Sequence, residues 1–128
     1  MRPGINPGNP AADAHRHRPG PVRQVLECLE RDFARPWKIS TMSARAGLSE
    51  AHFHDVFRQT MGTTPHQWLL QRRLRAARER LLSSLDPVKR IAVECGFADS
   101  PSFAHAFRQH FGGSPKVFRE RHLRPEKR

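Results

Sequence analysis

Residues 96–115 read GFADSPSFAHAFRQHFGGSP, and residues 47–65 read GLSEAHFHDVFRQTMGTTP. Gly47, Phe53, Phe57, Arg58, Gln59, Gly62, Thr64 and Pro65 find their counterparts in Gly96, Phe103, Phe107, Arg108, Gln109, Gly112, Ser114 and Pro115. The offset is 50 from Phe53/Phe103 to Pro65/Pro115, and 49 at Met42/Ile91 and Gly47/Gly96. The second copy therefore carries one extra residue in the turn before its second helix. A helix, a glycine turn and another helix, written twice, predict two helix-turn-helix units. The expected fold is all-α, with seven helices and two helix-turn-helix subdomains joined by a long linker helix.

Working outward, Val22, Leu26, Leu29 and Phe33 recur on one face of a helix that begins near Pro21 and ends by Pro36. Ser40 is expected to cap a short helix holding Met42 and Ala46, with Gly47 as its left-handed stop. Ser49 caps the next helix, whose buried face is Phe53, Val56, Phe57 and Met61. Thr64–Pro65 restarts the chain into a helix running to about Leu82. Leu70, Leu74, Ala77 and Leu81 line one side of it; Arg72, Arg73, Arg75, Arg78 and Arg80 cover much of the rest. Asp86–Pro87 and Ser100–Pro101 are read as two further cap–proline starts. They lead to Val88, Ile91, Ala92 and Cys95, then to Phe103, Ala106, Phe107 and Phe111. Ser114–Pro115 opens a last helix with Val117 and Phe118. No useful strand alternation occurs. The expected boundaries are a Pro/Gly-rich basic tail over 1–20, a first subdomain over 21–64, the linker helix over 65–83, a second subdomain over 84–122 and a basic end over 123–128. The tail contains almost nothing apolar to offset ordering entropy.

The 128 residues carry 23 Lys and Arg against 12 Asp and Glu, a net charge of +11. Such a field favours a polyanion. Arginine predominates, and its planar fork suits phosphate and guanine edges. No apolar run of about 18 residues is present, and the N-terminus has no secretory pattern, so neither a membrane span nor a membrane partner is expected. Cys28 and Cys95, far apart and each on an expected buried face, read as reduced thiols of a cytoplasmic protein. No cofactor is implied. The histidines and cysteines lack zinc spacing, so no metal is expected. No nucleophile–base set, phosphate-cradling glycine loop or carboxylate pair points to an enzyme.

The outward stripe of the helix after Ser49 is Ala51, His54, Asp55 and Arg58. That of the helix after Ser100 is Pro101, Ala104, His105 and Arg108. In a helix-turn-helix the second helix enters the major groove, its early outward residues meeting base edges. The base-facing candidates are thus Ala51, His54, Asp55, Pro101, Ala104 and His105. Histidine can donate to guanine or phosphate. Asp55 can accept from a cytosine amino group or orient a neighbouring arginine. Alanine and proline can pack on a thymine methyl. Arg58 and Arg108, a turn later, are the phosphate candidates, joined by Ser49 and Ser100 at the helix starts and by Arg72 on the linker helix. A linker helix of about 18 residues spans roughly 27 Å. That is on the scale of the roughly 34 Å between successive major grooves on one DNA face.

These residues bring a family into view. From about Val22 to Arg121 the chain resembles the DNA-binding region of the AraC/XylS (arabinose-regulator) family of bacterial transcription regulators. The most specific stretch is Ile91-Ala92-Val93-Glu94-Cys95-Gly96-Phe97-Ala98-Asp99, followed by Phe103, Phe107-Arg108, Gly112-Gly113-Ser114-Pro115 and Phe118-Arg119. The resemblance implies a seven-helix, two-module fold that binds double-stranded promoter DNA as a monomer and recruits RNA polymerase, an activator in the cytoplasm at the nucleoid. His105 and Asp55 stand where that family often has arginine, Arg108 where lysine is common, and Phe118 where tyrosine is usual. Pro101 at a reading-helix start is less usual. The chain is too short to add the sensor domain of many relatives, so no small-molecule effector is expected in it. It reads as a stand-alone regulator or as the DNA-binding end of a longer, effector-responsive one. A nonspecific basic nucleic-acid-binding protein is the rival reading.

Overall fold

The computed structural model describes residues 20–123. The expected tail and basic end lie outside these residues, except for Gly20, which opens the first helix, and Leu123, which follows the last. Among the described residues there are seven helices and no strand. They are α1 (Gly20–Arg31), α2 (Ile39–Ala46), α3 (Glu50–Met61), α4 (Pro65–Ser83), α5 (Val88–Glu94), α6 (Ser100–Phe111) and α7 (Pro115–His122). They fall into two compact units. Unit 1 contains residues 20–31 and 37–66; unit 2 contains 32–36 and 67–123. The division falls within the first turn of α4.

In unit 1, α1, α2 and α3 pack on one another. Val22, Val25, Leu26 and Leu29 of α1 close on Met42 and Ala46 of α2 and on Phe53 and Phe57 of α3, all buried. Trp37 is buried too, with the Arg45 guanidinium 5.3 Å from its ring centre. Val56 and Met61, expected in the core, are half-buried at its edge. Phe33, expected on the α1 face, lies beyond the helix end in the 32–36 turn and packs in unit 2. Val25 takes its place in the α1 core.

Unit 2 is built on Leu74, Ala77 and Leu81 of α4, Ile91, Ala92 and Cys95 at α5, and Phe103 and Phe107 of α6. Phe33, Phe97, Phe111 and Phe118 pack around them. Burial pushes the Cys95 thiol pKa up, in keeping with a thiol that serves as a small apolar filler. Cys28 is instead half-buried, with arginine nitrogens of Arg45 and Arg31 at 3.7 and 3.9 Å from its sulfur. On α7, Val117 is 40% exposed, while Pro115 is buried and Phe118 packs against the core.

Both copies turn the chain in the same way. Gly47 N–H donates to Ala44 and Leu48 N–H to Ser43; Gly96 N–H donates to Val93 and Phe97 N–H to Ala92. Both bonds of the first turn are thus repeated in the second at the offset of 49, and the extra residue enters after Phe97. Both glycines have positive φ, +71° and +102°, a left-handed conformation that side chains resist.

Three expected caps move. Met42 N–H already donates to Lys38 O at 3.0 Å, so α2 starts before Ser40. Ser40 lies within the first turn, where its carbonyl accepts from the Ser43 hydroxyl. The Asp86 carboxylate is taken by Arg80 at 2.7 Å, and α5 begins after Pro87 instead. At α6 the cap is Asp99, whose carboxylate accepts from Ser102 N–H at 2.8 Å, so Ser100 is the first helical residue and Pro101 the second. Ser49 and Ser114 cap as expected, accepting from His52 and Val117 N–H.

Candidate nucleic-acid interface

The helices α3 and α6 are amphipathic for the same reason. Their phenylalanines recur at i and i+4, so one stripe is drawn into each unit's core and the opposite stripe is left to solvent. The structure carries the match further than composition could. From residue 51 to 59 and from 101 to 109 the pattern of exposed, half-buried and buried positions is identical, position by position. Ala51 and Pro101 are exposed, His54 and Ala104 half-buried, Asp55 and His105 exposed, Arg58 and Arg108 exposed. Thus in each helix the four predicted outward residues come together on one accessible stripe.

Their side chains are also unengaged. Among the described residues no ion pair or side-chain hydrogen bond holds His54, Asp55, Arg58, His105 or Arg108. The charges that stabilise unit 2 form a different set. Arg80 bridges Asp86 at 2.7 Å and Glu94 at 2.8 Å. Those hydrogen bonds, Asp86 first, raise the Arg80 pKa, and Arg80 in turn holds Asp86 below the usual carboxylate value. The Arg73 guanidinium donates to the Phe33 carbonyl at 2.7 Å and to the Arg35 carbonyl, and burial lowers its pKa. Arg119 donates to the Leu81 carbonyl. These arginines, which sequence alone could not tell from DNA-facing ones, are structural.

Arg72 lies with its guanidinium 4.2 Å over the Phe33 ring, and its residue is half-buried. The two helix starts differ. At α3 the neutral Ser49 side chain uses only His52 N–H, leaving the Glu50 and Ala51 amides of the first turn. At α6 Pro101 has no N–H and Asp99 takes that of Ser102, so Ser100 alone retains an amide, beside a carboxylate. The Ser102 hydrogen bonds hold that carboxylate below its ordinary pKa, and hence ionised.

Gln59 and Gln109 were not among the sequence candidates. Both are exposed and stand at the same register. Gln59 lines a cleft of about 290 Å³ with Asp55 and Arg58. Gln109 lines one of about 310 Å³ with His105, Ala106 and His110 of α6 and Gln67, Leu70, Gln71 and Leu74 of α4. The repeat offset of 50 was the signal that could have singled them out. No group of three or more His, Cys, Asp or Glu among the described residues could hold a metal ion, and no described helix is long and apolar enough to cross a membrane.

Two exposed, matched helices, each following a glycine turn, define a twin helix-turn-helix protein. The chain belongs to the AraC/XylS-type helix-turn-helix family; the family model described as "Helix-turn-helix domain" matches residues 42–121. It is 37% identical over 99 residues to the HTH-type transcriptional activator RhaS of Escherichia fergusonii, covering 77% of this chain and 36% of that protein. It is 33% identical over 87 residues to the probable transcriptional regulator LumQ of Photobacterium leiognathi, covering 68% and 35%. The chain therefore spans about a third of the length of these curated relatives. Among solved structures it is similar to the DNA-binding domain of AdpA, determined in complex with a target DNA. The TM-score is 0.77 and the identity 30%, over 79% of this chain and 91% of that one. The family is one of DNA-binding transcription regulators and not of enzymes.

Proposed function

We propose that this chain binds double-stranded promoter DNA in a sequence-specific manner, α3 and α6 each entering a major groove, and so regulates transcription. The observation that carries the reading is the identical exposure pattern of residues 51–59 and 101–109. Two stripes of unengaged polar side chains, in a chain of net charge +11, suit a ligand with phosphates outside and base edges inside. In this reading Ala51, His54, Asp55, Pro101, Ala104 and His105 face bases, and Arg58 and Arg108 grip phosphate. The first-turn amides behind Ser49 add a second phosphate contact. Arg72 and Ser100 find less support in the geometry, the first stacked on Phe33 and the second beside the Asp99 carboxylate. The helix α4 runs for 19 residues, Pro65–Ser83.

The protein acts in the cytoplasm, as an activator that binds as a monomer and recruits RNA polymerase. The relatives' greater length favours a second possibility, that this is the DNA-binding part of an effector-responsive regulator. The test is a gel-shift competition between duplexes selected from a random pool and unselected duplexes. At physiological salt the selected duplex is expected to compete more strongly by a factor on the order of 10³ or more. Equal competition would leave only nonspecific binding to a polyanion. Arg108→Ala and Arg58→Ala should each lower affinity for all sequences and reduce the salt slope by about one. An unchanged slope removes that arginine from the phosphate contacts.

A further inference from the structure

Along the two outward stripes, identity and difference are not scattered. Arg58 and Arg108 are the same residue, and so are the neighbouring Gln59 and Gln109. The three earlier outward positions all differ: Ala51 against Pro101, His54 against Ala104, Asp55 against His105. Phosphates are the same at every step of a duplex, whereas base edges are not. A pair of helices that keeps one set of contacts and changes the other is built to grip the same backbone over two different sequences.

The sharpest contrast is at the sixth residue past each helix cap, Ser49 and Asp99. Asp55 and His105 are both exposed, occupy matching positions on α3 and α6 and are unengaged within the described chain. A carboxylate only accepts hydrogen bonds; a neutral imidazole donates one, and a protonated imidazole donates two. In the major groove cytosine presents an amino donor, and guanine presents two acceptors, N7 and O6. A carboxylate near phosphates is repelled unless a donor meets it, so Asp55 rejects acceptor-rich edges as much as it accepts cytosine. The helices differ in charge in the same sense. The outward and first-turn acids Glu50 and Asp55 lie on α3, while α6 carries no acid between Ser100 and Phe111.

We propose that Asp55 of α3 selects a cytosine in one half-box of the DNA site and His105 of α6 selects a guanine in the other. This rests on the DNA-binding function proposed above. The experiment is a parallel selection from a randomised duplex pool with the full chain and its Asp55→Asn and His105→Asn variants. Both positions are exposed, and thermal melts confirm that the variants are folded. Wild type is expected to enrich two half-boxes, one holding the cytosine and the other the guanine. Asparagine pairs bidentately with adenine, so Asp55→Asn should convert the cytosine alone to adenine, and His105→Asn the guanine alone. Each change should shift relative affinity at that base by about tenfold. Two half-boxes of the same sequence, or half-boxes that ignore Asp55→Asn and His105→Asn, overturn this inference while leaving the regulator function standing. A wild-type pool with no enriched sequence overturns that function itself and this inference with it.

Discussion

In unit 1, α3 is anchored by two phenylalanines, Phe53 and Phe57, whose ring centres lie 5.7 Å apart. In unit 2 the equivalent Phe103 and Phe107 belong to a longer chain of rings. Phe97 lies 5.0 Å from Phe103, Phe103 5.5 Å from Phe107, and Phe107 4.5 Å from Phe111 and 5.3 Å from Phe118. Unit 2 also holds the Arg80 bridge to Asp86 and Glu94 and the Arg73 clamp on the 32–36 turn. Each presents one helix, α3 or α6, with the same exposure pattern, but their scaffolds are unequal. The outer face of such a helix depends only on where its inner face is held, so different interiors can deliver the same outward stripe.

Deleting a ring at equivalent positions tests this inequality most severely. Phe57→Ala and Phe107→Ala each remove a fully buried side chain, at a cost of roughly 3–5 kcal/mol. Phe107→Ala should lie at the upper end, because Phe103, Phe111 and Phe118 all lose a partner. Denaturant unfolding of the two variants gives the order, and a larger loss at Phe57 would break the comparison.

The two turn glycines give a smaller effect. A methyl group at Gly47 would meet nothing within 4 Å, so Gly47→Ala is expected to cost only the left-handed backbone, about 1–2 kcal/mol. At Gly96 the methyl would come within 2.7 Å of Arg73 Nε and 3.0 Å of Ala34 Cα, at φ +102°. Gly96→Ala should therefore melt at a lower temperature than Gly47→Ala. Equal melting points would mean that the Arg73 clamp yields without cost.

Acid sharpens the comparison by the smallest margin. The α3 cap is the Ser49 hydroxyl, which does not titrate in this range, whereas the α6 cap is Asp99. Hydrogen bonds from Ser102 hold Asp99 below its ordinary pKa, so its folded value lies below its unfolded one. Its contribution is complete above the ordinary carboxylate value and is lost as pH falls through the lowered one. Melts from about pH 5 down to about pH 2 should show the wild type losing stability more steeply than Asp99→Asn, which keeps an acceptor without the charge. Parallel curves would remove Asp99 from the acid transition.

Most of the helices were legible because their signals are local. Apolar spacing of three and four residues placed the first six, the Ser114–Pro115 start placed the seventh, Gly47 and Gly96 marked two turns, and Ser49 was read correctly as a cap. What failed was competition between neighbours. Asp86 has the composition of a cap, but Arg80, six residues earlier, reaches it first. Ser100 precedes proline as a cap would, but Asp99 is extended and its carboxylate accepts from the Ser102 amide. Phe33 continues the α1 periodicity on paper, yet the helix ends at Arg31 and the ring packs under Arg72.

The candidate site divides in the same way. That Asp55 and His105, or Arg58 and Arg108, share a register follows from the repeat, since the chain itself counts the residues between them. Side-chain period does the rest: once the phenylalanines face inward, the opposite stripe has to face out. Which arginines are available could not be counted. Arg72, Arg73, Arg75, Arg78 and Arg80 are equivalent as letters on one helix. Folding gives Arg73 two carbonyls and Arg80 two carboxylates. Those partners come from residues 33, 35, 86 and 94, at separations that helical periodicity does not span. Local pattern determined the helices and their outward faces; only the tertiary structure decided which charges hold the fold, because that depends on which distant acceptors arrive within reach.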